Sequence, residues 1–134
     1  MVANIHDSTR RYPIRVDRAF RSLFAVLGAG ARHDFVELGD VMVHVQLGWM
    51  FRARILRTAV ASVQHHPDMF GGWGAHGWRG RWLVNGSSAG IVQLDLEPHQ
   101  RAWLLGVWPI TLRVLYVSLV DPDGFLSDIG SGAT

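Results

Sequence analysis

The stretch VMVHVQLGWMFRARI, residues 41–55, decides the fold, because apolar and polar side chains alternate along it. A period of two indicates β-structure with one face in a core and the other in water. Since fifteen residues exceed the usual length of a strand, we expect Gly48 to divide the stretch into two strands or to bend one strand around a barrel. His44, Arg52 and Arg54 fall on the polar side. The apolar side consists of Val41, Val43, Val45, Leu47, Trp49, Phe51, Ala53 and Ile55.

Strand-like patterns continue on both sides of this stretch. FVEL, residues 35–38, leads into Gly39-Asp40, a residue pair that favours a tight turn. Further on, a glycine-rich loop is expected over residues 67–77. Apolar and β-branched runs predict four more extended segments: TAVASVQ (58–64), IVQLDLE (91–97), residues 101–107 and TLRVLYVSLV (111–120).

A second alternating stretch, GWGAHGWRGRWLVNG, covers residues 72–86 and combines tryptophan, arginine and glycine. Over residues 78–84 the pattern predicts one strand, with Trp78, Gly80, Trp82 and Val84 facing inward and Arg79 and Arg81 facing water. We expect this strand to form an antiparallel hairpin with IVQLDLE. A slip by one residue would place arginines opposite leucines, so the pattern selects the register. The predicted pairs are Arg81 with Asp95, Arg79 with Glu97, and Trp82 with Leu94.

Helices are expected at both ends of the β-rich part. Residues 17–27 have apolar side chains at helical spacing, with Asp17 placed to cap the first turn and Gly28 placed to end the helix. Near the C-terminus, Asp121 and Pro122 occupy the cap and first positions of a short terminal helix. The whole pattern predicts one β-rich domain over residues 12–129, with a flexible lead at 1–11 and a flexible tail at 130–134.

The order of these elements resembles that of bacterial pleckstrin-homology-like domains, and also small proteins of GC-rich bacteria. The resemblance covers residues 12–129 and is carried by YPIRVDRAFRSLFAVLG, the β-meander, GWRGRWLVNG and YVSLVDPDGFLSDI. It implies an antiparallel, strongly bent sheet or small barrel that is closed by a terminal helix. It also implies a domain that binds lipids, peptides or proteins, and it carries no catalytic residues.

Composition narrows the classes of function. A chain of 134 residues, 49% hydrophobic and 18% charged, has the size and make-up of one folded domain. All thirteen basic residues are arginine and the net charge is +2. Apart from Arg10-Arg11 they are scattered, whereas nucleic-acid binders cluster them, so nucleic acid is an unlikely partner. The lack of cysteine excludes disulfides and thiolate metal sites. Residues 1–13 contain no apolar stretch that would serve as a signal peptide, and the longest apolar segment, 102–112, falls well short of a membrane span, so we expect a cytoplasmic protein.

Two functions fit these residues. The first is a non-catalytic domain that binds a protein, an anionic lipid or a small anion, without a cofactor or metal. Guanidinium and indole groups together suit anions, and the candidate binding residues are Arg52, Arg54, Arg79 and Arg81, with Trp73 and His76 in the adjoining loop. The alternative is a small enzyme or ligand carrier with His65, His66 and His76 at a barrel mouth. Because neighbours on a strand point to opposite faces, His65 and His66 cannot easily share a metal ion.

One aromatic segment has two interpretations. AWLLGVWPITL, residues 102–112, contains Trp103 and Trp108 around Gly106. It could form an inner strand and hairpin within the core. It could instead leave an apolar loop exposed for a partner, a membrane surface or a second copy of the chain. A homodimer is therefore among the possible assemblies.

Overall fold

The computed structural model describes residues 9–17, 34–67, 74–85, 87 and 89–131, and it confirms a mainly β fold. Its strands join in one curled sheet that forms a half-barrel, in the order β1-β2-β3-β4-β8-β9-β7-β6, with β5 also paired to β8. A 3-10 turn, Arg57–Ala59, precedes β5, and one helix, α1 (Pro122–Ser131), follows the strands. The strands are β1 Arg10–Pro13, β2 Asp34–Leu38, β3 Met42–Leu47, β4 Phe51–Leu56, β5 Val60–His65, β6 Gly74–Trp78, β7 Arg81–Asn85, β8 Ile91–Leu104 and β9 Trp108–Ser118.

Residues 41–55 form a hairpin, the first of the two expected alternatives. Gly48 adopts a φ of 53° in the turn, and Leu47 pairs with Phe51 across it. Because three residues separate Leu47 from Phe51, the odd-numbered side chains of both strands face the core. Val41 and Trp49 were expected to face inward as well, but they lie in turns and are 66% and 49% exposed. The residues buried from this hairpin are Val43, Val45, Leu47, Phe51, Ala53 and Ile55.

The predicted hairpin between β7 and β8 is wrong. β7 pairs in parallel with β9, and β9 pairs in turn with β8, so the sheet is mixed rather than purely antiparallel. Arg81 and Asp95 each pair with Val114, which lies between them. The expected partners therefore share a row across the sheet with β9 inserted. The alternation correctly matched the two faces, but it carried no information about a strand between them.

Residues 78–84 do not form one strand either. Arg79 and Gly80 make a two-residue turn between β6 and β7, with φ values of 52° and 85°. Positive φ at both positions is typical of the turns that suit the twist of a hairpin. Beyond the turn, Val84 is buried in the main core and Trp82 packs against it, as expected. The loop predicted over residues 67–77 is wrong in its last part, because β6 begins at residue 74.

A register shift between β8 and β9 lies beside a second buried cluster. Asp95 pairs with Val114 and Gln100 with Leu112, so four residues of β8 lie opposite one residue of β9. At this point the amides of Arg113 and Val114 both donate to the carbonyl oxygen of Gly80, at 2.7 and 3.1 Å. The alternation of β9 changes here, since Leu112 and Leu115 both belong to the main core although they are three positions apart. The smaller cluster consists of Leu83, Ile91, Val114 and Tyr116.

The C-terminal helix forms as predicted and packs onto the main core. Asp121 Oδ1 accepts the amide of Gly124 at 3.0 Å, which confirms the expected cap. Phe125 and Ile129 are buried, and the Phe125 ring meets the Tyr12 ring edge-on with centroids 5.3 Å apart. Helix α1, at ten residues, is too short to span a bilayer, and the described part of the chain has no longer apolar helix. The predicted N-terminal helix lies, apart from Asp17, outside the described residues.

Side chains of β5, β1 and the 3-10 turn bond both ends of α1. His65 Nε2 lies 2.6 Å from Asp123 Oδ1 in the first turn. In the last turn, Arg57 Nη2 donates to the carbonyl oxygens of Asp128 and Ile129 at 3.0 and 3.3 Å. Carbonyl groups at a helix end have no partner within the helix, and a guanidinium both bonds them and complements the negative end of the helix dipole. Tyr12 also donates to the carboxylate of Asp128.

Candidate functional site

An open groove lies across β3, β4 and β8, on the face of the sheet turned away from the main core, which we call the outer face. Its volume is about 580 Å³. We call it the arginine groove, because three of its six lining residues are arginines. The lining residues are His44, Arg52, Arg54, Gln100, Arg101 and Trp103.

Strand register brings these side chains together. Ala53 of β4 pairs with Ala102 of β8, and both are fully buried. Because alternate residues on a strand point to opposite faces, the residues that flank this alanine pair are directed outward. Arg52 pairs with Trp103 in the adjacent row, and His44 of β3 pairs with Arg54. Side chains of directly opposed residues lie about 5 Å apart at Cβ, so each pair shares one section of the groove.

Described residues of the fold do not balance the positive charges in the groove. Among them, no carboxylate lines it, and no ion pair involves Arg52, Arg54 or Arg101. Glu37 lies in the same row of the sheet as His44, but its carboxylate is paired with Arg11 at 3.0 Å. The groove therefore presents three guanidinium groups that can turn toward an incoming anion.

His44 adds a neutral polar group to this cationic surface. Burial lowers the pKa of its imidazole, and Arg54 and Arg52 lower it further, whereas Glu37 acts in the opposite direction. The ring meets Phe35 edge-on, with centroids 5.5 Å apart. Its buried Nε2 has no hydrogen-bond partner among the described residues. At neutral pH His44 therefore contributes an uncharged ring beside the arginines.

The structure does not bring the predicted binding residues into one site. Arg52 and Arg54 line the groove, but Arg79 and Arg81 lie in the β6–β7 hairpin, with β8 and β9 between them and β4. Arg81 Nη1 donates to the hydroxyl of Tyr116 at 3.0 Å. His76 is on β6 with its side chain outside the described part, and Trp73 lies outside the described residues altogether.

The histidine pair of the alternative interpretation is also divided between two surroundings. His65 contacts Asp123 of α1, as described above. The His66 ring instead packs against the Tyr116 ring, with centroids 5.1 Å apart. Neighbouring strand residues point to opposite faces, and these two contacts follow that rule. Within the described part of the chain, no group of three or more histidine, aspartate or glutamate side chains could hold a metal ion.

Asp95, which was expected to face Arg81, has closer partners. Its carboxylate accepts hydrogen bonds from Ser62 Oγ at 2.6 Å and from Gln93 Nε2 at 3.0 Å. These two bonds lower the pKa of Asp95, and the charge of Arg81 adds to the effect, while burial opposes it. We call Ser62, Gln93, Asp95, Arg81 and Tyr116 the paired cluster, since each of them is hydrogen-bonded to another member.

His44, Arg101 and Trp103 were not predicted as site residues. The alternation in residues 41–55 already places His44 on the same side as Arg52 and Arg54, so this signal was present in the sequence. Arg101 and Trp103 also share one face of a strand by their spacing of two. Their approach to β4, however, depends on a strand pairing between distant parts of the chain.

No protein-family model, curated protein or solved structure matches the chain. The resemblance to pleckstrin-homology-like domains therefore stays a prediction, and the function has to be argued from the groove itself.

Proposed function

We propose that this protein is a non-catalytic binding domain whose arginine groove holds the phosphate groups of an anionic ligand. The observation that supports the proposal is the convergence of Arg52, Arg54 and Arg101 on one groove that no carboxylate of the described residues lines. A protein that needed these arginines only for solubility would gain nothing from placing them together, because like charges in close proximity repel each other.

The chemistry of the lining residues favours phosphate over a simple anion. A guanidinium group offers parallel N–H donors that match two oxygens of a phosphate, and such charge-assisted bonds are stronger than neutral ones. Trp103 supplies a half-buried apolar surface beside the charges, which suits the non-polar part of a phosphate ester. The volume of about 580 Å³ lies within the range of small-molecule sites.

The same residues support binding rather than catalysis. The arginines and Trp103 provide charge and contact area, and the neutral His44 has no orienting partner on its buried Nε2. General acid–base catalysis by histidine ordinarily uses a ring that a second group holds in one tautomer. We also place the protein in the cytoplasm, which its lack of cysteine supports.

We further propose that the half-barrel and α1 correspond to the barrel and terminal helix of pleckstrin-homology-like domains. The packing of Phe125 and Ile129 into the core supports this proposal, because it gives α1 the closing position. The parallel pairing of β7 with β9 is a departure from that family's antiparallel sheet.

Calorimetric titration with inorganic pyrophosphate at low ionic strength tests the groove. We expect wild-type protein to bind and the R52Q/R101Q variant to bind at least about tenfold more weakly, since each lost charge-assisted hydrogen bond costs about 1.5 to 3 kcal/mol. R15Q is the matched control, because Arg15 is exposed and its backbone bonds Ser118, at the far end of β9. Equal affinities for wild type and R52Q/R101Q, or an equal loss in R15Q, would contradict the proposal.

A further inference from the structure

An exposed apolar surface lies at one end of the sheet, beside the arginine groove. It is formed by the β3–β4 turn and the β8–β9 turn, which a hydrogen bond from the Leu105 amide to the Met50 carbonyl joins at 3.0 Å. We call this surface the apolar tip. It consists of Trp49, Leu105, Val107 and Trp108, which are 49%, 56%, 76% and 66% exposed.

Formation of the turns does not require these side chains. Gly48 and Gly106 both adopt positive φ, at 53° and 77°, and a Cβ on Gly106 would meet nothing within 4 Å. Polar residues ordinarily occupy the positions around such glycines, because turns are surrounded by water. Two indoles and two aliphatic side chains at adjoining turns therefore indicate a surface that something else covers.

The groove begins directly behind the tip. Phe51 and Leu104 pair at the base of the two turns, and Arg52 and Trp103 form the next row. At about 3.3 Å per residue, Arg52 follows the first row by about 3 Å and Arg54 by about 10 Å. The apolar side chains thus lie at the end of the sheet, and Arg52 and Arg54 lie within about 10 Å behind them.

This layering matches the outer part of a bilayer that contains anionic lipid. Amphipathic elements bury their apolar side about 5–10 Å into the boundary between headgroups and acyl chains, and tryptophan is enriched at that depth. Arginines immediately behind would then lie at the level of the lipid phosphates, where each basic residue strengthens attachment to an anionic surface.

We propose that the apolar tip inserts into the surface of an anionic membrane, with a lipid phosphate held in the arginine groove. This inference rests on the proposed function of the groove and assigns its phosphate to a lipid. The order of the two surfaces favours a membrane over a protein partner. An anionic membrane supplies acyl chains and phosphates in successive layers, which complement first the apolar tip and then the arginines directly behind it. A protein partner would need an apolar pocket and anionic groups at the same spacing.

Co-sedimentation of the full chain with lipid vesicles tests the inference. The vesicles contain phosphatidylcholine alone, or phosphatidylcholine with about one third phosphatidylserine. We expect wild type to sediment with the second kind only. The tip variant W49S/W108S should bind these vesicles at least about tenfold more weakly, and R52Q/R54Q about 25-fold more weakly, at about fivefold per arginine. V41S is the matched control, because Val41 is exposed in a turn at the other end of β3 and should leave binding unchanged.

Pyrophosphate titration of the same variants separates this inference from the proposed function. We expect W49S/W108S to bind pyrophosphate as wild type does, with an unchanged thermal midpoint, because both indoles lie in exposed turns. If wild type binds pyrophosphate but no vesicles, or if W49S/W108S sediments like wild type, the membrane inference is wrong and the groove proposal stands. If neither pyrophosphate nor vesicles bind, both are wrong. A dimer in solution that only the tip variant dissociates, without vesicle binding, would assign the tip to a second copy and overturn the inference.

Discussion

The outer face of the sheet uses arginine in two opposite ways. In the paired cluster, Arg81 donates to Tyr116, and Asp95 accepts from Ser62 and Gln93, so the polar groups bond within the fold. In the arginine groove, the guanidinium groups converge without an ion pair to any described residue. The comparison teaches that exposure and residue type do not separate an arginine that bonds within the fold from one that we propose for ligand binding. The partners that each arginine has among the described residues separate the two.

The largest effect that would test this comparison comes from reversing one charge in the groove. In R54E, a carboxylate would lie opposite His44 and near Arg52, where it would occupy the donors that we assign to phosphate. We expect pyrophosphate affinity to fall about a hundredfold or more, while the thermal midpoint stays the same or rises because repulsion is relieved. Calorimetric titration and thermal unfolding measure the two effects. If R54E loses stability and keeps its affinity for pyrophosphate, Arg54 has a structural role, and the distinction between the arginine groove and the paired cluster is wrong.

A smaller effect concerns the titration of His44. Its pKa is lowered in the folded protein, so the unfolded chain takes up a proton first as pH falls. The contribution of the neutral ring to stability is therefore complete above the ordinary histidine pKa and is lost as pH falls through the folded-state pKa. We expect H44Q to lack this part of the acid-induced loss of stability. In wild type, bound pyrophosphate should raise the pKa of His44, since a nearby anion favours the charged ring.

Measurement of His44 by NMR, through its ring proton shifts against pH, checks both statements. A folded-state pKa at or above the ordinary value would show that the ring is not desolvated beside the arginines. An unchanged pKa on addition of pyrophosphate would place the bound anion outside the groove.

The smallest effect lies in the paired cluster and concerns the register. Because Val114 separates Arg81 from Asp95, a double-mutant cycle on R81Q and D95N should give a coupling below about 0.5 kcal/mol. The cycle on S62A and D95N should give about 1 kcal/mol, since Ser62 donates directly to Asp95 at 2.6 Å. Unfolding by denaturant measures both couplings. Couplings of the reverse order would indicate that β7 lies directly beside β8.

Much of the fold was predictable from local patterns. Alternation predicted β-structure over 41–55 with His44, Arg52 and Arg54 on one face, and two strands divided at Gly48 were one of its two alternatives. The cap at Asp121 predicted α1. The hairpin between β7 and β8 was wrong, but its predicted pairs of Arg81 with Asp95 and Trp82 with Leu94 do lie in the same rows of the sheet. The two strands also run in opposite directions, as predicted, although β9 lies between them. The turn at Arg79-Gly80 was missed because Gly80 was interpreted as a strand residue between two tryptophans.

The candidate site was predictable only in part. Arg52 and Arg54 were identified because they lie two residues apart on one strand, but Arg101 and Trp103 reach them through the pairing of β4 with β8. Arg79 and Arg81 were grouped with Arg52 and Arg54 by residue type alone, and two strands of the sheet separate the two pairs. The identity of a neighbouring strand is not encoded in the alternation of either strand.

The sequence by itself therefore determined the face of the side chains within strands such as β3 and β4, because that property depends on the two-residue period of a strand and on a single buried side. Tertiary structure alone decided the order of the strands. Strand order depends on contacts between distant parts of the chain, and these contacts inserted β9 between Arg81 and Asp95 and placed Trp103 opposite Arg52. The groove results from both levels, since the period turned its arginines outward and the strand order assembled them.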